Sequence, residues 1–430
     1  MRDHLPDSPA PPLPDARASR IAFHLCLLLA IAAVTRFGWL CALPAKAISV
    51  DLNDWRRVAQ GLAMGMDPYA RGHLLNWPPF WMEVIYLCMR FSARFGWDFI
   101  FCIRCVLIAA DLGVLAASFL LLRMLGSGYG LLLLLGYCLN PLLTLLTVQH
   151  GNFDAFAELW ILLLLIFLLR FRRGRKEIDF LLAAACLGMG GFTKTFPLML
   201  WPLLAPAARQ VSAPARWLAC GLVVGPIALA IAPLYVVAPE HVFHDVISYR
   251  GVGGSFGVLG LLNVIHLEPD AAVYSGIFTC VFLAGLAALA IRLWREDLPG
   301  DDDVVLLTAV ILLASFVLGP GYGPQYWFWV TPLLLVCYRQ YRRLRIVLLV
   351  AAVIIVATNI FEYAVLRSLG QFWLAGHPSE GLERYSEKLL FSDPDLARLC
   401  LPMTLASLFL LAACAAVLAR RMGPARSRRN

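Results

Sequence analysis

Charge is scarce in this sequence. Of its 430 residues, 15% are Asp, Glu, Lys or Arg, against about 25% in soluble domains. Hydrophobic residues make up 60%, and the mean hydropathy is +0.75. A soluble fold would carry a greasy surface, so that class is excluded. Also missing are a CxxC pair and a His-rich cluster. The twelve cysteines, Cys102, Cys105, Cys138 and Cys280 among them, are scattered through apolar blocks. They read as small hydrophobes rather than disulfide partners or metal ligands. No short-period repeat and no separate soluble domain is visible. A cleavable signal is absent too. The first apolar block, 21–43, is too long for a signal core and lacks a small-residue cleavage site. It is expected to be a retained helix with its N-terminus in the cytoplasm.

What is present is apolar sequence in blocks, many of about 20 residues, the length that crosses ~30 Å of hydrocarbon. They fall at about 21–43, 78–95, 99–122, 129–148, 153–170, 178–206, 217–237, 271–293, 304–319, 327–338, 346–366 and 396–419. The expected fold is all-α and polytopic, with about 11–13 transmembrane helices, over a single domain at 21–420. Residues 1–20, rich in Pro and Asp, read as a disordered cytoplasmic tail. The net charge of +8 gathers in short clusters, 170–176 (RFRRGRK), 339–345 (RQYRRLR) and a basic tail over 421–430. That pattern marks cytoplasmic loops, not a nucleic-acid surface. Loops 44–77, 238–270 and 367–395 are assigned to the outside.

Parity constrains this layout. If 44–77 is outside and 170–176 inside, an odd number of crossings separates them, yet four blocks intervene. One must fail to cross, and 129–148 is the candidate, because Asn140-Pro141 interrupts it. The block 178–206 is too long for one crossing and carries Gly190-Gly191 and a lone Lys194. It reads as two short helices meeting near the outer face with Lys194 at the apex. Breaks at membrane depth are tolerated where they line a cavity, so both point to one polar cavity opening outward.

The first external loop reads VDLNDWRRVAQGLAMGMDPYARGHLLNWPPFW. Apolar residues at 52, 55, 58, 59, 62 and 63 lie on one helical face, and Arg56, Arg57 and Gln60 on the other. This predicts an amphipathic surface helix ended by Gly65. Asp51 at its start reads either as a helix cap or as a reactive carboxylate. Asp54 shares its face. The two are weighed as a divalent-metal pair, and no cofactor or metal is favoured, because no further acidic residue stands close in sequence. His150 and Asp154 flank the end of the 129–148 block, and a donor or acceptor pocket stands beside a plain helix cap as their role. Gln325 and Tyr326 open another external helix. Trp77, Trp81, Trp327 and Trp329 fall near external helix ends as an interfacial belt, one of them a candidate for stacking on a sugar ring. Glu83, Arg104 and Asp111 lie in expected spans, and Arg104 and Asp111, two turns apart, read as intramembrane charges paired with neighbours rather than as catalytic groups.

The string D-L-x-x-W-x-x-x-A-x-x-L-x-x-G-x-D-P-Y, followed by N-W-P-P, resembles the first external loop of the GT-C glycosyltransferases. It is most similar to the bacterial polyprenol-phosphate-mannose-dependent, GT87-type branch. N-P-L-L…H-G-N-F-D-A-F at 140–156 resembles that family's N-P…G-Q-F-D, with Asn152 where Gln is usual. K-T-F-P-L-M-L-W-P-L-L at 194–204, Y-R-G-V-G-G-S-F-G at 249–257 and P-Q-Y-W-F-W-V-T-P-L-L-L at 324–335 resemble its later elements.

The resemblance implies a fold, a reaction and a site. The reaction is inverting transfer of a hexose, mannose by default, from a polyprenyl-phosphate carrier to a glycan or glycolipid hydroxyl. It would run in a multi-pass inner-membrane protein, on the periplasmic face and among membrane lipids. The family's base position falls on Asp51, with Asp54 in reserve. Lys194 and Arg250 would bind the donor phosphate. His150, Asn152, Asp154, Tyr249, Gln325 and Tyr326 would line the donor and acceptor pocket. Competing readings are a transporter or flippase of lipid-linked sugars, a glycan ligase or polymerase, and an inactive scaffold of the same fold.

Overall fold

A computed structural model of the chain describes residues 16–43, 48–66, 69, 77–126, 130–243, 246, 256–265, 267, 269–321, 323–360 and 401–422. Every regular element among them is helical. Six helices are long and apolar enough to cross a membrane, or seven if one bent pair counts as a span. The class is therefore all-α and polytopic.

The chain shuttles between two ends of the bundle, one rich in Arg and one holding a cavity. Helix α1 (Ala16–Ala42) begins inside the segment expected to be a disordered tail. It delivers the chain to α2 (Val50–Ala63) at the cavity end. Next come α3 (Phe80–Phe95) and α4 (Phe99–Met124). At the start of α3, Trp81 packs on Trp55 of α2 at 4.9 Å between ring centres. Just beyond its end, Asp98 lies 3.9 Å from Arg56 of α2. Both ends of α3 therefore sit beside α2. Block 78–95 lies along the surface and does not cross, a correction to the parity assignment. Its sixteen residues would rise only about 24 Å as a helix, short of the hydrocarbon thickness.

Helix α4 crosses to the Arg-rich end, where Arg173 donates to the Met124 carbonyl at 2.8 Å. The chain returns through α5 (Gly130–Cys138) and α6 (Pro141–Thr144), which continues into a π-helical turn, Leu145–His150. The bend at Asn140-Pro141 is real, 46°, but the bent pair still traverses. The Asn140 side chain caps the second half, accepting from Leu142 N at 2.9 Å. Helix α7 (Asp154–Gly174) leads back to the Arg-rich end and α8 (Glu177–Thr193) returns. A 3₁₀ segment, Phe196–Leu204, and α9 (Ala205–Ala208) then carry the chain from Lys194 to Arg209. Arg209 donates to the carbonyls of Trp294 and Arg295, both at 2.9 Å. Close approach of α8 to the next helix, α10 (Ala213–Val237), requires glycine. A Cβ at Gly188 would meet the Leu222 carbonyl oxygen at 2.0 Å.

Short helices α11 (Pro239–Val242) and α12 (Gly257–Val264) lie at the cavity end. Helices α13 (Ala271–Arg295) and α14 (Asp301–Val317), a 3₁₀ turn at Pro324–Trp329, α15 (Thr331–Gln340) and α16 (Arg345–Ile360) continue the alternation. The last described helix, α17 (Leu401–Met422), runs into the expected basic tail. The 367–395 loop lies outside the described residues.

At the Arg-rich end the charges are tied together. Arg172 reaches Asp297 at 2.6 Å and Asp301 at 3.0 Å. Asp303, fully buried, accepts from Tyr341 at 2.9 Å and from Arg421 at 3.0 Å. Burial, with Asp303 and Asp302 nearby, pushes the Tyr341 hydroxyl well above the usual phenol range. It therefore stays a donor. Within the bundle, Asp111 pairs with Arg36 of α1 at 2.8 Å and accepts from Tyr137 at 2.6 Å. The Arg36 guanidinium also donates to the Cys138 carbonyl, satisfying a group freed next to the α5–α6 break.

Candidate active site

Helix α2 is built as its pattern demands. Leu52, Trp55, Val58 and Ala59 are buried, against Trp81, Ile85 and Phe153. Its cap is Ser49, whose hydroxyl accepts from Leu52 N at 3.1 Å. Asp51 is thus not the cap, and its carboxylate is free of that duty. It sits in the first turn, where the helix dipole favours a negative charge.

A cavity of about 1050 Å³ opens beside α2. Its polar end collects Asp51, Asp54, Asn152, Lys194, Gln325 and Tyr326. These come from four segments far apart in the chain. Tyr249 and Arg250 lie outside the described residues.

Two contacts organise the polar end. The His150 Nε2 lies 3.1 Å from Asp51 Oδ2. Lys194 Nζ is hydrogen-bonded to Asp154 Oδ1. The lysine terminates α8, where the backbone turns extended between the two halves of the broken block. Its ammonium sits over the Phe153 ring, 4.3 Å from the centroid, and 5.6 Å from that of Trp77. Asp154 is fully buried at the first turn of α7, and its backbone N–H donates to Asn152 Oδ1 at 2.7 Å. Asn152, one residue before the Phe153 N-cap, thus takes up the first N–H of α7 while lining the cavity. Asp154 stands behind Lys194 rather than on the cavity wall.

Glu158, one turn further along α7, carries no role in the sequence reading. It is fully buried, and neither of its oxygens has a hydrogen-bond partner among the described residues. The signal was available, an acidic residue inside an apolar block. Arg36 was missed as well, because it lies toward the end of its block like an ordinary flanking charge.

The tryptophans do not form an interfacial belt. Trp81 is fully buried and stacked on Phe153 at 4.7 Å. Trp327 and Trp329 are buried also, and Trp329 stacks between Phe196 at 3.5 Å and Tyr326 at 4.1 Å. Trp77 and Trp329 line the cavity.

From the polar end the cavity continues along an apolar wall. One side is the 3₁₀ segment, with Leu198, Met199 and Trp201. The other is one face of α13, with Phe278, Phe282 and Leu286 at helical spacing. Leu283 and Trp201, on the same wall, are also among the exposed large hydrophobics. The apolar wall therefore continues to the exposed surface of the bundle. Among the described residues no cluster of three or more His, Cys, Asp or Glu side chains is placed to hold a metal ion.

No family model matches the chain, and no curated protein matches it. Among solved structures the chain is similar to ArnT from Cupriavidus metallidurans bound to undecaprenyl phosphate. The identity is 16%, the match covers 94% of this chain and 79% of that one, and the TM-score is 0.47.

Proposed function

We propose that the protein is an inverting glycosyltransferase of the GT-C type. It moves a hexose, mannose by preference, from a polyprenyl-phosphate carrier to an acceptor hydroxyl on the non-cytoplasmic face of an inner membrane. The observation that carries this reading is the shared cavity. A helix-borne carboxylate and a nearly buried lysine meet at the polar end of a groove whose apolar wall continues to the exposed surface of the bundle.

The geometry suits the chemistry. Asp51 removes the proton of the incoming hydroxyl as its oxygen attacks the anomeric carbon. The bond from that carbon to the phosphate oxygen breaks, and the carrier leaves as a phosphate monoester with one more negative charge. That charge needs a cation and no protonating acid. Lys194 supplies it by turning from Asp154 to the phosphate, in a setting where low dielectric strengthens the attraction. Asp54, at 26% side-chain exposure and 3.5 Å from Arg57, is the reserve base. The apolar wall holds the isoprenoid chain. Sidedness follows from the opposite end, where Arg170, Arg172, Arg173, Arg175, Arg339, Arg342, Arg343 and Arg421 gather as in cytoplasmic loops.

The test is a transfer assay with purified protein, synthetic polyprenyl-phosphate-mannose as donor and an alkyl mannoside as acceptor. Wild type is expected to form product with inverted anomeric configuration, and Asp51→Asn to lose it. No product from this donor or from other polyprenyl-phosphate hexoses overturns the reading.

A further inference from the structure

The contact between Asp51 and His150 is held by more than the two side chains. Ser49, the cap of α2, donates its hydroxyl to the His150 carbonyl at 2.5 Å. Gly151, with φ of +79°, lays its own backbone against Leu52, so that a Cβ there would lie 2.5 Å from two of the leucine's side-chain carbons. His150 itself ends a π-helical turn. Such turns shift the register of the side chains that follow and recur at functional sites. The first turn of α2 and the end of this π turn are thus joined at three points, around one carboxylate and one imidazole. The imidazole is nearly enclosed, at 11% exposure, while the Asp51 side chain keeps 36%. Other charged groups at this end, among the described residues, include Asp54 and Arg57 on α2, Asp154 and Glu158 on α7 and Lys194 at the end of α8.

We infer that His150 is the positioning residue of the base. Its Nε2–H donates to Asp51 Oδ2, because an ionised carboxylate only accepts. One carboxylate oxygen is thereby pinned to the π turn, which sets the direction from which the carboxylate meets the acceptor hydroxyl. The proton passes from the acceptor oxygen to the carboxylate, and His150 neither gains nor loses one in the step. This rests on the reading of Asp51 as the base.

The experiment is steady-state transfer by purified wild type, His150→Ala, His150→Gln, Asp51→Asn and the Asp51→Asn/His150→Ala double variant. Donor is synthetic polyprenyl-phosphate-mannose, and thermal unfolding is followed alongside. Loss of a hydrogen bond to a charged group predicts that His150→Ala lowers kcat about 10- to 100-fold. The donor KM is expected to stay within twofold. His150→Gln, whose side-chain amide can donate to Oδ2, is expected to recover most of the rate. The double variant is expected to match Asp51→Asn, because groups that act as one unit are non-additive. Full activity in His150→Ala overturns the inference. So does a glutamine variant as slow as the alanine one while its melting point is unchanged, or multiplied losses in the double variant. Wild-type protein without transfer removes the base assignment, and this inference falls with it. Active wild type with an unaffected His150→Ala removes this inference alone.

Discussion

The two ends of the helical bundle handle charge in opposite ways. At the Arg-rich end, acids and bases are matched. Arg172 holds Asp297 and Asp301, and Asp303 binds a tyrosine and an arginine together. At the cavity end, one oxygen of Asp154 and both of Glu158 have no hydrogen-bond partner among the described residues. The backbone differs likewise. The cavity end gathers a π turn, two 3₁₀ segments and a helix that stops at Lys194. Buried carboxylate oxygens left unsatisfied are costly; among the described residues three lie at the cavity end and one, Asp179 Oδ1, at the Arg-rich end, so the excess at the cavity marks where stability has been traded for chemistry. The matched end is a staple, and the unmatched end is a site.

That contrast breaks down if substitutions at the two ends have similar consequences. The largest effect is expected from Asp51→Asn, a fall in kcat of about 10²- to 10⁴-fold, the usual contribution of a general base. Single-turnover transfer with donor saturating is the check. Asp54→Asn should cost far less, and a larger loss there would exchange the two roles. Gly151→Ala is next. A Cβ on Leu52 and a strained φ should lower stability by about 1–3 kcal/mol, read by thermal unfolding. It should also slow transfer by displacing α2 from His150. At the stapled end, Arg172→Ala leaves Asp297 and Asp301 without this partner. It is expected to lower the melting temperature while leaving kcat and donor KM unchanged. Tyr341→Phe should do the same, by about 1.5–3 kcal/mol for one hydrogen bond to a charged group, again without touching activity.

Much of the cavity end is legible in the sequence, because its signals are local. The 3-to-4 spacing from Leu52 to Ala63 specifies α2, and Asn140-Pro141 and the lone Lys194 specify the two interruptions. The identity of the non-crossing block is not local. Block 78–95 is apolar enough to pass for a span, and only the placement of Trp81 and Asp98, both against α2, shows that it lies flat. The Asp51–His150 contact is illegible for a similar reason. The residues are separated by almost a hundred positions, and the π turn that presents the histidine has no sequence signature. Arg36 and Asp111 pair across different helices, whereas periodicity relates residues only within one. The tryptophans mislead because a ring near a helix end serves a membrane interface or an internal stack equally well.

The central claim is that Lys194 binds the carrier phosphate while Asp51 performs chemistry beside it. The most direct measurement is equilibrium binding of undecaprenyl phosphate to purified wild type, Asp51→Asn and Lys194→Ala. Wild type and Asp51→Asn should bind alike, and Lys194→Ala at least about tenfold more weakly, the loss of one charge-assisted contact. Equal binding by Lys194→Ala, or no binding by the wild type, would contradict the account.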